Sequence, residues 1–244
     1  MHDEEDPTYK SVCSDATLMP AELLYDYIIV GGGTAGCPLA ATLSRNFTVL
    51  LLERGGLGHT LEIARREQGF IYNIMNTTPD DDPAQSFKSE DGVDNERGIV
   101  LGGSSTISAG MYSRAELGYI RNSGWEEGLV NQSYKWVEDT VVFPPRLREW
   151  QTAFRDGLLQ AGAYPYNGYT LDHVEGTKIG GTTFDSSGIR HSSADLLEHA
   201  NCRNLRIVTR AKVSKILFFN MSDEEQGRCI FFFFESLQQY CIFS

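Results

Sequence analysis

The residues with the clearest chemical potential form a glycine-rich run at 31–36, with the sequence GGGTAG. The run fits the pattern G-x-G-x-x-G, which binds a pyrophosphate when it lies between a strand and a helix. Gly31 permits the tight turn, Gly33 lets the backbone approach the pyrophosphate, and Gly36 allows the helix to pack closely on the strand. The N–H groups at the start of such a helix also attract phosphates. The spacing therefore predicts a dinucleotide site.

The residues after the next apolar segment indicate which dinucleotide binds. Glu53 ends that segment and could accept hydrogen bonds from an adenosine ribose, which disfavours a 2′-phosphate and hence NADP. Arg54 and Gly55 follow directly, an arrangement typical of flavoproteins. The sequence thus favours FAD over NAD, and a glycine turn without a ligand is the simplest alternative.

These residues need a strand, a helix and a second strand to position them. Segments 25–30 and 47–53 are nearly unbroken apolar runs, which are typical of buried parallel strands. Residues 37–45 are predicted to form a helix, with Pro38 in the first turn, where a missing N–H costs nothing. Together they form one βαβ unit. The predicted fold class is therefore α/β with a Rossmann-like nucleotide unit.

The remaining segments give weaker patterns. We predict loops with short helices over 55–98, a second helix over 104–114, and helices over 133–163 interrupted by a proline pair. Segment 164–193 is rich in Gly, Thr and Ser and predicts loops or short strands. Two apolar runs between 204 and 219 predict a final pair of strands.

Composition limits the classes of partner. The chain has 244 residues, 41% of them hydrophobic and 22% charged, as expected for a globular protein of one large or two small domains. Its 21 Lys and Arg face 33 Asp and Glu, a net charge of −12 that disfavours nucleic-acid binding. No segment has the ~20 apolar residues of a membrane helix. The 5 cysteines lack metal-ligand spacing. We expect no nucleic acid, membrane or metal as a partner.

Two segments resemble the glucose–methanol–choline (GMC) oxidoreductases, and above all their plant branch of mandelonitrile lyases and HOTHEAD-like proteins. Segment 25–40 reads YDYIIVGGGTAGCPLA, and segment 98–112 reads GIVLGGSSTISAGMY. Segments 131–138 and 180–185 are also similar to that branch. The resemblance spans residues 24–220. It implies a Rossmann-like FAD-binding domain, incomplete relative to the family, with part of a substrate domain.

The resemblance also implies which residues contact FAD. They are Gly31, Gly33, Thr34, Ala35 and Gly36 at the pyrophosphate, Glu53 and Arg54 at the ribose, Val100, Ser104, Ser108, Ala109, Gly110 and Met111 along the flavin, and Val213 near the adenine. Small residues after a glycine pair let backbone N–H groups approach the isoalloxazine. Ile99, Ser108 and Arg121 depart from the family's usual residues, and these changes are expected to weaken flavin binding.

The family's chemistry sets the expected function. Its members use FAD to oxidise a CH–OH group, with a histidine near the C-terminus as base, and in the lyase branch that histidine handles the proton of a cyanohydrin. We expect this chain to lack that region. No local signature marks any of its histidines as a base, so no catalytic residue is assigned. The five histidines that this leaves without an assigned role are His2, His59, His173, His191 and His199.

The first of the following four functions is the predicted one, and the other three are its alternatives. The first is an FAD-dependent oxidoreductase acting on the CH–OH group of a small alcohol. The second is an (R)-mandelonitrile lyase-like hydroxynitrile lyase acting on a cyanohydrin. The third is a truncated flavin-binding remnant that is not catalytic, and the fourth is an NAD-dependent dehydrogenase.

Three regions are predicted along the chain. Residues 1–23 form an acidic arm, 24–220 a GMC-type FAD-binding domain with interleaved parts of a substrate domain, and 221–244 an aberrant hydrophobic tail. The tail contains four consecutive phenylalanines and suggests the hypothesis that the chain ends prematurely. The N-terminus lacks a secretory signal, which predicts a cytosolic chain. Four Asn-x-Ser/Thr sites and the family's usual export point instead to secretion.

Overall fold

The computed structural model describes residues 8–15, 24–57, 65–71, 83–219, 229–234 and 240–243. His2, His59, most of the predicted acidic arm and part of the predicted tail lie outside these residues. The chain divides into two compact units. The first comprises Met1–Ala64, Gln68–Ile107 and Ser192–Ser244, and the second comprises Arg65–Glu67 and Ser108–His191.

A four-stranded parallel sheet forms the centre of the first unit. Its strands are β1 (Cys13–Asp15), β3 (Tyr27–Val30), β4 (Val49–Leu52) and β11 (Leu205–Thr209), in the order β1-β11-β4-β3. All four residues of β4 are buried, as expected for an inner strand of a parallel sheet. Helix α1 (Gly36–Leu43) connects β3 to β4. The predicted α/β class and its βαβ unit are confirmed.

The core of this unit forms where α1 and a 3-10 helix, Ser193–His199, pack on the sheet. Because residues alternate along a strand and recur every three to four positions along a helix, each element presents an apolar face to the others. The buried apolar residues of this cluster are Tyr9, Ile29, Cys37, Ala40, Val49, Leu51, Leu101, Ala194, Leu197, Leu205 and Ile207. The sheet that carries the glycine loop is therefore rigidly supported.

Two predictions for the central part of the chain were wrong, the first of them in part. Within 55–98 the 3-10 helix Glu67–Gly69 agrees with the predicted short helices, but an antiparallel hairpin of β5 (Ala84–Lys88) and β6 (Asp94–Gly98) occupies a stretch where no strand was expected. The helix predicted over 104–114 is a single 3-10 turn, Gly103–Thr106, followed by the short strand β7 (Met111–Tyr112). Gly103 and Gly110 adopt positive φ angles of 57° and 78°, which a right-handed α-helix does not accommodate.

A second four-stranded sheet of the first unit contains part of the predicted tail. Its strands are β2 (Leu24–Tyr25), β12 (Val213–Phe219), β13 (Cys229–Phe234) and β14 (Tyr240–Phe243), in the order β12-β13-β14-β2. The β12–β13 and β13–β14 pairs are antiparallel, and the β14–β2 pair is parallel. The backbone of the phenylalanine run is thus hydrogen-bonded to strands on both sides. β11 and β12 are the final pair of strands that the sequence predicts.

The second unit contains three helices and two pairs of short strands. The helices are α2 (Leu117–Asn122), α3 (Glu127–Val141) and α4 (Glu149–Gln160). β7 pairs with β10 (Gly181–Thr182), and β8 (Tyr166–Tyr169) pairs with β9 (Thr177–Ile179). The break between α3 and α4 confirms the predicted interruption by prolines. Within the described ranges, no helix combines the length and apolarity that crossing a membrane requires.

Truncating a core leucine of β4 tests the importance of this sheet. Leu51 is 0% exposed, so Leu51→Ala leaves a cavity and is expected to lower the free energy of unfolding by about 2–5 kcal/mol. Leu39 on α1 is 49% exposed, and Leu39→Ala serves as the matched control, with an expected loss below ~1 kcal/mol. Urea denaturation followed by far-UV circular dichroism measures both. Equal losses in the two variants would contradict the described burial.

Candidate functional site

The first glycine loop has the geometry that its spacing predicts. Gly31 adopts a φ of +99°, and its N–H donates to the carbonyl oxygen of Leu52 at 2.7 Å, across from β3 to β4. A Cβ added to Gly36 would lie 1.9 Å from the carbonyl oxygen of Gly31, so only glycine allows this approach of helix to strand. Gly36 is therefore required for packing, as the sequence predicts.

The start of α1 can receive an anion. Thr34 and Ala35 are exposed in front of the helix. Ala35 occupies the N-cap position, and its side chain makes no capping hydrogen bond. Since the first N–H groups of a helix need partners from outside it, a pyrophosphate fits at this end. The loop and helix start thus fit the phosphates of a dinucleotide.

Glu53 lies at the carboxyl end of β4 and is only 5% exposed. Its Oε2 accepts a hydrogen bond from the N–H of Gly32 at 2.8 Å, and its Oε1 accepts one from the N–H of Gly55 at 2.8 Å. Burial raises the pKa of this carboxyl, and the two backbone hydrogen bonds oppose that rise. Glu53 therefore ties the glycine loop to the turn after β4. Its contact with a ribose stays a prediction.

The second glycine motif lies directly against the first. The N–H of Gly102 donates to the carbonyl oxygen of Gly32 at 2.7 Å. A Cβ on Gly103 would lie 2.7 Å from the Cα of Gly33, so the two backbones meet without intervening side chains. Motifs separated by about seventy residues in the sequence are thereby joined into one surface.

Other predicted FAD residues of the first unit lie around this contact. The carbonyl oxygen of Val100 accepts a hydrogen bond from Gly103 N–H at 2.7 Å, and exposed Ser104 accepts one from Gly98 N–H at 3.1 Å. Val213 begins β12, just after Ala211, whose N–H donates to the carbonyl oxygen of Glu53 at 2.8 Å. The structure therefore brings Val100, Ser104 and Val213 to the same end of the sheet as Glu53.

Arg54 makes a contact that the sequence does not indicate. Its Nη1 donates to Oε1 of Gln85 at 3.1 Å, and Nε of Arg97 donates to the same oxygen at 2.9 Å. Partial burial and the neighbouring Arg97 charge lower the pKa of Arg54. Arg54 is thus held by the β5–β6 hairpin, and its predicted place at the ribose stays a prediction.

Sequence reasoning missed a pair of serines that supports the two glycine motifs. Ser193 Oγ donates to the carbonyl oxygen of Gly102 at 3.0 Å, and Ser105 Oγ donates to the same oxygen at 2.6 Å. The N–H of Ser193 donates in turn to Ser105 Oγ at 3.0 Å. The signal was the capping box that Ser192 forms with Asp195, which marks the helix start carrying Ser193.

Cys37 joins the same region from α1. Its Sγ donates to the carbonyl oxygen of Gly32 at 3.1 Å, and burial raises its pKa to about 12. The side chain therefore stays a neutral thiol at physiological pH and acts as a hydrogen-bond donor to the loop. The role of the Cys37 side chain is therefore structural.

The structure places four predicted flavin residues, Ser108, Ala109, Gly110 and Met111, in the second unit. Gly110 is buried and has a φ of +78°, and a Cβ on it would lie 2.4 Å from the Phe184 ring. Ser108 and Ala109 are exposed, and Met111 is 87% exposed. The loop therefore presents side chains outward while Gly110 is held from behind. Its contact with flavin stays a prediction.

The described histidines do not form a recognisable catalytic arrangement. His191 Nε2 lies 3.5 Å from Asp185 Oδ2, and its ring centroid lies 4.7 Å from that of Phe143. Within the described part of the chain, no group of three or more His, Cys, Asp or Glu residues could hold a metal ion.

Comparison with known proteins identifies the family. Residues 25–240 match the family model described as GMC oxidoreductase. The chain belongs to the GMC oxidoreductase family. It is 55% identical over 213 residues to an (R)-mandelonitrile lyase-like protein of Arabidopsis thaliana, a match covering 86% of this chain and 39% of the relative. It is also 52% identical to the protein HOTHEAD of the same plant, covering 80% of this chain and 32% of the relative.

Two further matches extend the comparison. A sinalpyl alcohol oxidase of Nesocodon mauritianus is 46% identical, with 90% of this chain and 40% of the relative covered. The solved structure of a formate oxidase of Aspergillus oryzae superposes with a TM-score of 0.70 at 18% identity, covering 92% of this chain and 44% of that one. The chain spans less than half of the length of each of the three relatives named above. The predicted family and fold class are confirmed.

The titration of Glu53 gives a test of the site's electrostatics. A carboxyl whose pKa is raised by folding binds its proton more tightly in the folded state. The free energy of unfolding therefore falls as the pH rises from the ordinary glutamate pKa of ~4.3 through the raised pKa of the folded state. Glu53→Gln removes this titration. We expect the variant's free energy of unfolding, relative to that of the unmodified chain, to increase with pH in that window.

Denaturant unfolding between about pH 4 and pH 8 measures this difference. Leu39→Ala, at a 49% exposed position and without loss of a titratable group, is the control, and its offset from the unmodified chain should stay constant across the range. A Glu53→Gln offset that is equally flat would contradict a raised pKa.

Proposed function

We propose that this chain is an FAD-binding portion of a GMC oxidoreductase that acts on the CH–OH group of small alcohols. The observation that carries the proposal is the backbone contact between the two glycine motifs, Gly32–Gly102 and Gly33–Gly103, beside an uncapped helix start. Two glycine backbones this close form a surface without side chains, which a flat, phosphate-bearing cofactor can approach. Membership of the GMC family supports FAD as that cofactor.

Each part of the site has a proposed task. The exposed start of α1, at Thr34 and Ala35, binds the pyrophosphate through backbone N–H groups. Glu53 and Arg54 are assigned to the ribose, because a carboxylate can accept hydrogen bonds from ribose hydroxyl groups. Val100, Ser104 and the residues at 108–111 line the flavin. When bound, FAD supplies the hydride acceptor for oxidation of the alcohol carbon.

A second candidate function is cleavage of a cyanohydrin to an aldehyde and cyanide. It is favoured by the 55% identity to the (R)-mandelonitrile lyase-like relative, while the sinalpyl alcohol oxidase, at 46%, favours oxidation. The two functions share the cofactor site and differ in whether electrons reach the flavin. Peroxide formation from an aromatic alcohol and cyanide release from mandelonitrile therefore separate them.

FAD binding is the direct test of the proposal. The purified chain should show a flavin absorbance spectrum near unit stoichiometry, or gain one on titration with FAD, and acid should release the chromophore as FAD. Gly36→Ala is expected to abolish this binding, because its Cβ would meet the Gly31 carbonyl oxygen at 1.9 Å and displace the loop.

Gly157→Ala is the matched control, since a Cβ at that position of α4 meets no atom within 4 Å. It should bind FAD unchanged and gain up to ~1 kcal/mol in stability from its higher helix propensity. A folded chain that FAD does not saturate but NAD does would replace the proposal with a dehydrogenase. A folded chain that binds neither would reduce it to a remnant that keeps the fold alone.

A further inference from the structure

A buried arginine of the second unit lies behind the loop at 108–111. Arg190 is 6% exposed, and its Nη2 donates to the carbonyl oxygen of Ser108 at 2.6 Å. Its Nη1 lies 3.4 Å from Ser108 Oγ. Hydrogen bonds from a guanidinium are charge-assisted, and the planar fork fixes their direction. Arg190 therefore holds both the backbone and the side chain of the loop's first residue.

The ring of Phe184 links this contact to the middle of the loop. The Arg190 Cζ lies 4.4 Å from the ring centroid, in a cation–π arrangement. The same ring fills the space beside Gly110, where a Cβ would approach it to 2.4 Å. Next to it, the N–H of Thr183 donates to the carbonyl oxygen of Gly110 at 2.8 Å. The loop is thus supported at Ser108 and at Gly110 by one neighbouring segment.

Arg190 is itself firmly placed. Its backbone N–H donates to the carbonyl oxygen of Arg65 at 2.6 Å, and it pairs with Phe184 in an isolated β-bridge. Burial lowers the pKa of its guanidinium to about 10, so the group is charged at neutral pH. A fixed charge therefore lies behind a loop whose outer side chains are exposed.

We propose that Arg190 is a positioning residue for the flavin. It holds the loop at 108–111 in the conformation that contacts the ligand. The inference rests on the proposed function, because it requires that this loop line the flavin. Arg190 acts through Ser108 and Gly110, with no contact to the cofactor required of it. Its removal should therefore alter the environment of the flavin and weaken FAD binding while the pyrophosphate loop of the first unit stays intact.

The test compares Arg190→Ala with Arg114→Ala in the full chain loaded with FAD. Arg114 is a fair control because it lies in the same unit, bonds Glu138 at 2.6 Å and stacks over Tyr134 at 5.4 Å. We expect Arg190→Ala to raise the dissociation constant for FAD about tenfold or more and to change the visible circular dichroism of the bound flavin. Arg114→Ala should lower thermal stability without either change.

Chemical rescue separates positioning from general stability. Millimolar guanidinium chloride should restore the flavin spectrum and affinity of Arg190→Ala, whereas sodium chloride at equal ionic strength should not. If Arg190→Ala does not fold, Arg190→Lys keeps the charge but loses the planar fork, and its bound flavin should show the altered spectrum. A wild-type flavin spectrum in folded Arg190→Lys and no rescue of Arg190→Ala would overturn the proposal.

Two other outcomes are distinguishable. Equal flavin changes in the Arg114 and Arg190 variants, at matched thermal stability, would show that Arg190 only supports the fold of its unit. Failure of the unmodified chain to bind FAD would remove the proposed function, and this inference with it, before any substitution is made.

Discussion

The candidate site depends on the direct contact between two glycine backbones. Gly102 bonds the carbonyl oxygen of Gly32, and Gly103 lies so close to Gly33 that a single methyl group would separate them. Protein interiors resist such an insertion because they are close-packed and relax only partially. The same contact that excludes side chains leaves backbone N–H groups and carbonyls as the surface of the site. Main-chain atoms therefore form this part of the candidate site.

Polar groups buried around this contact keep it in place. Glu53 accepts from both the glycine loop and the turn after β4, and the hydroxyls of Ser105 and Ser193 converge on one carbonyl oxygen. Buried polar groups are costly unless their hydrogen bonds are made, so a network with these bonds made specifies one arrangement of the loops. The raised pKa of Glu53 is the electrostatic cost of using a carboxylate for this purpose.

The family relationship and the geometry both agree with a site for a dinucleotide cofactor. The chain is about half identical to plant GMC proteins with lyase and oxidase names, and it spans about 40% of their length. The shared portion contains both glycine motifs and the loop supported by Arg190.

The sequence by itself determined the βαβ unit, the family and the glycine loop at 31–36, because glycine spacing and apolar runs are local signals. The sequence failed to predict the elements between 55 and 114, where the structure has a hairpin and a 3-10 turn. The helix expected over 104–114 is replaced because Gly103 and Gly110 adopt positive φ angles, which their neighbours in space set. Only the tertiary structure placed Ser193 and Arg190 against glycine loops about eighty to ninety residues away in the chain. Such contacts have no period or motif, because their partners meet only after the chain folds.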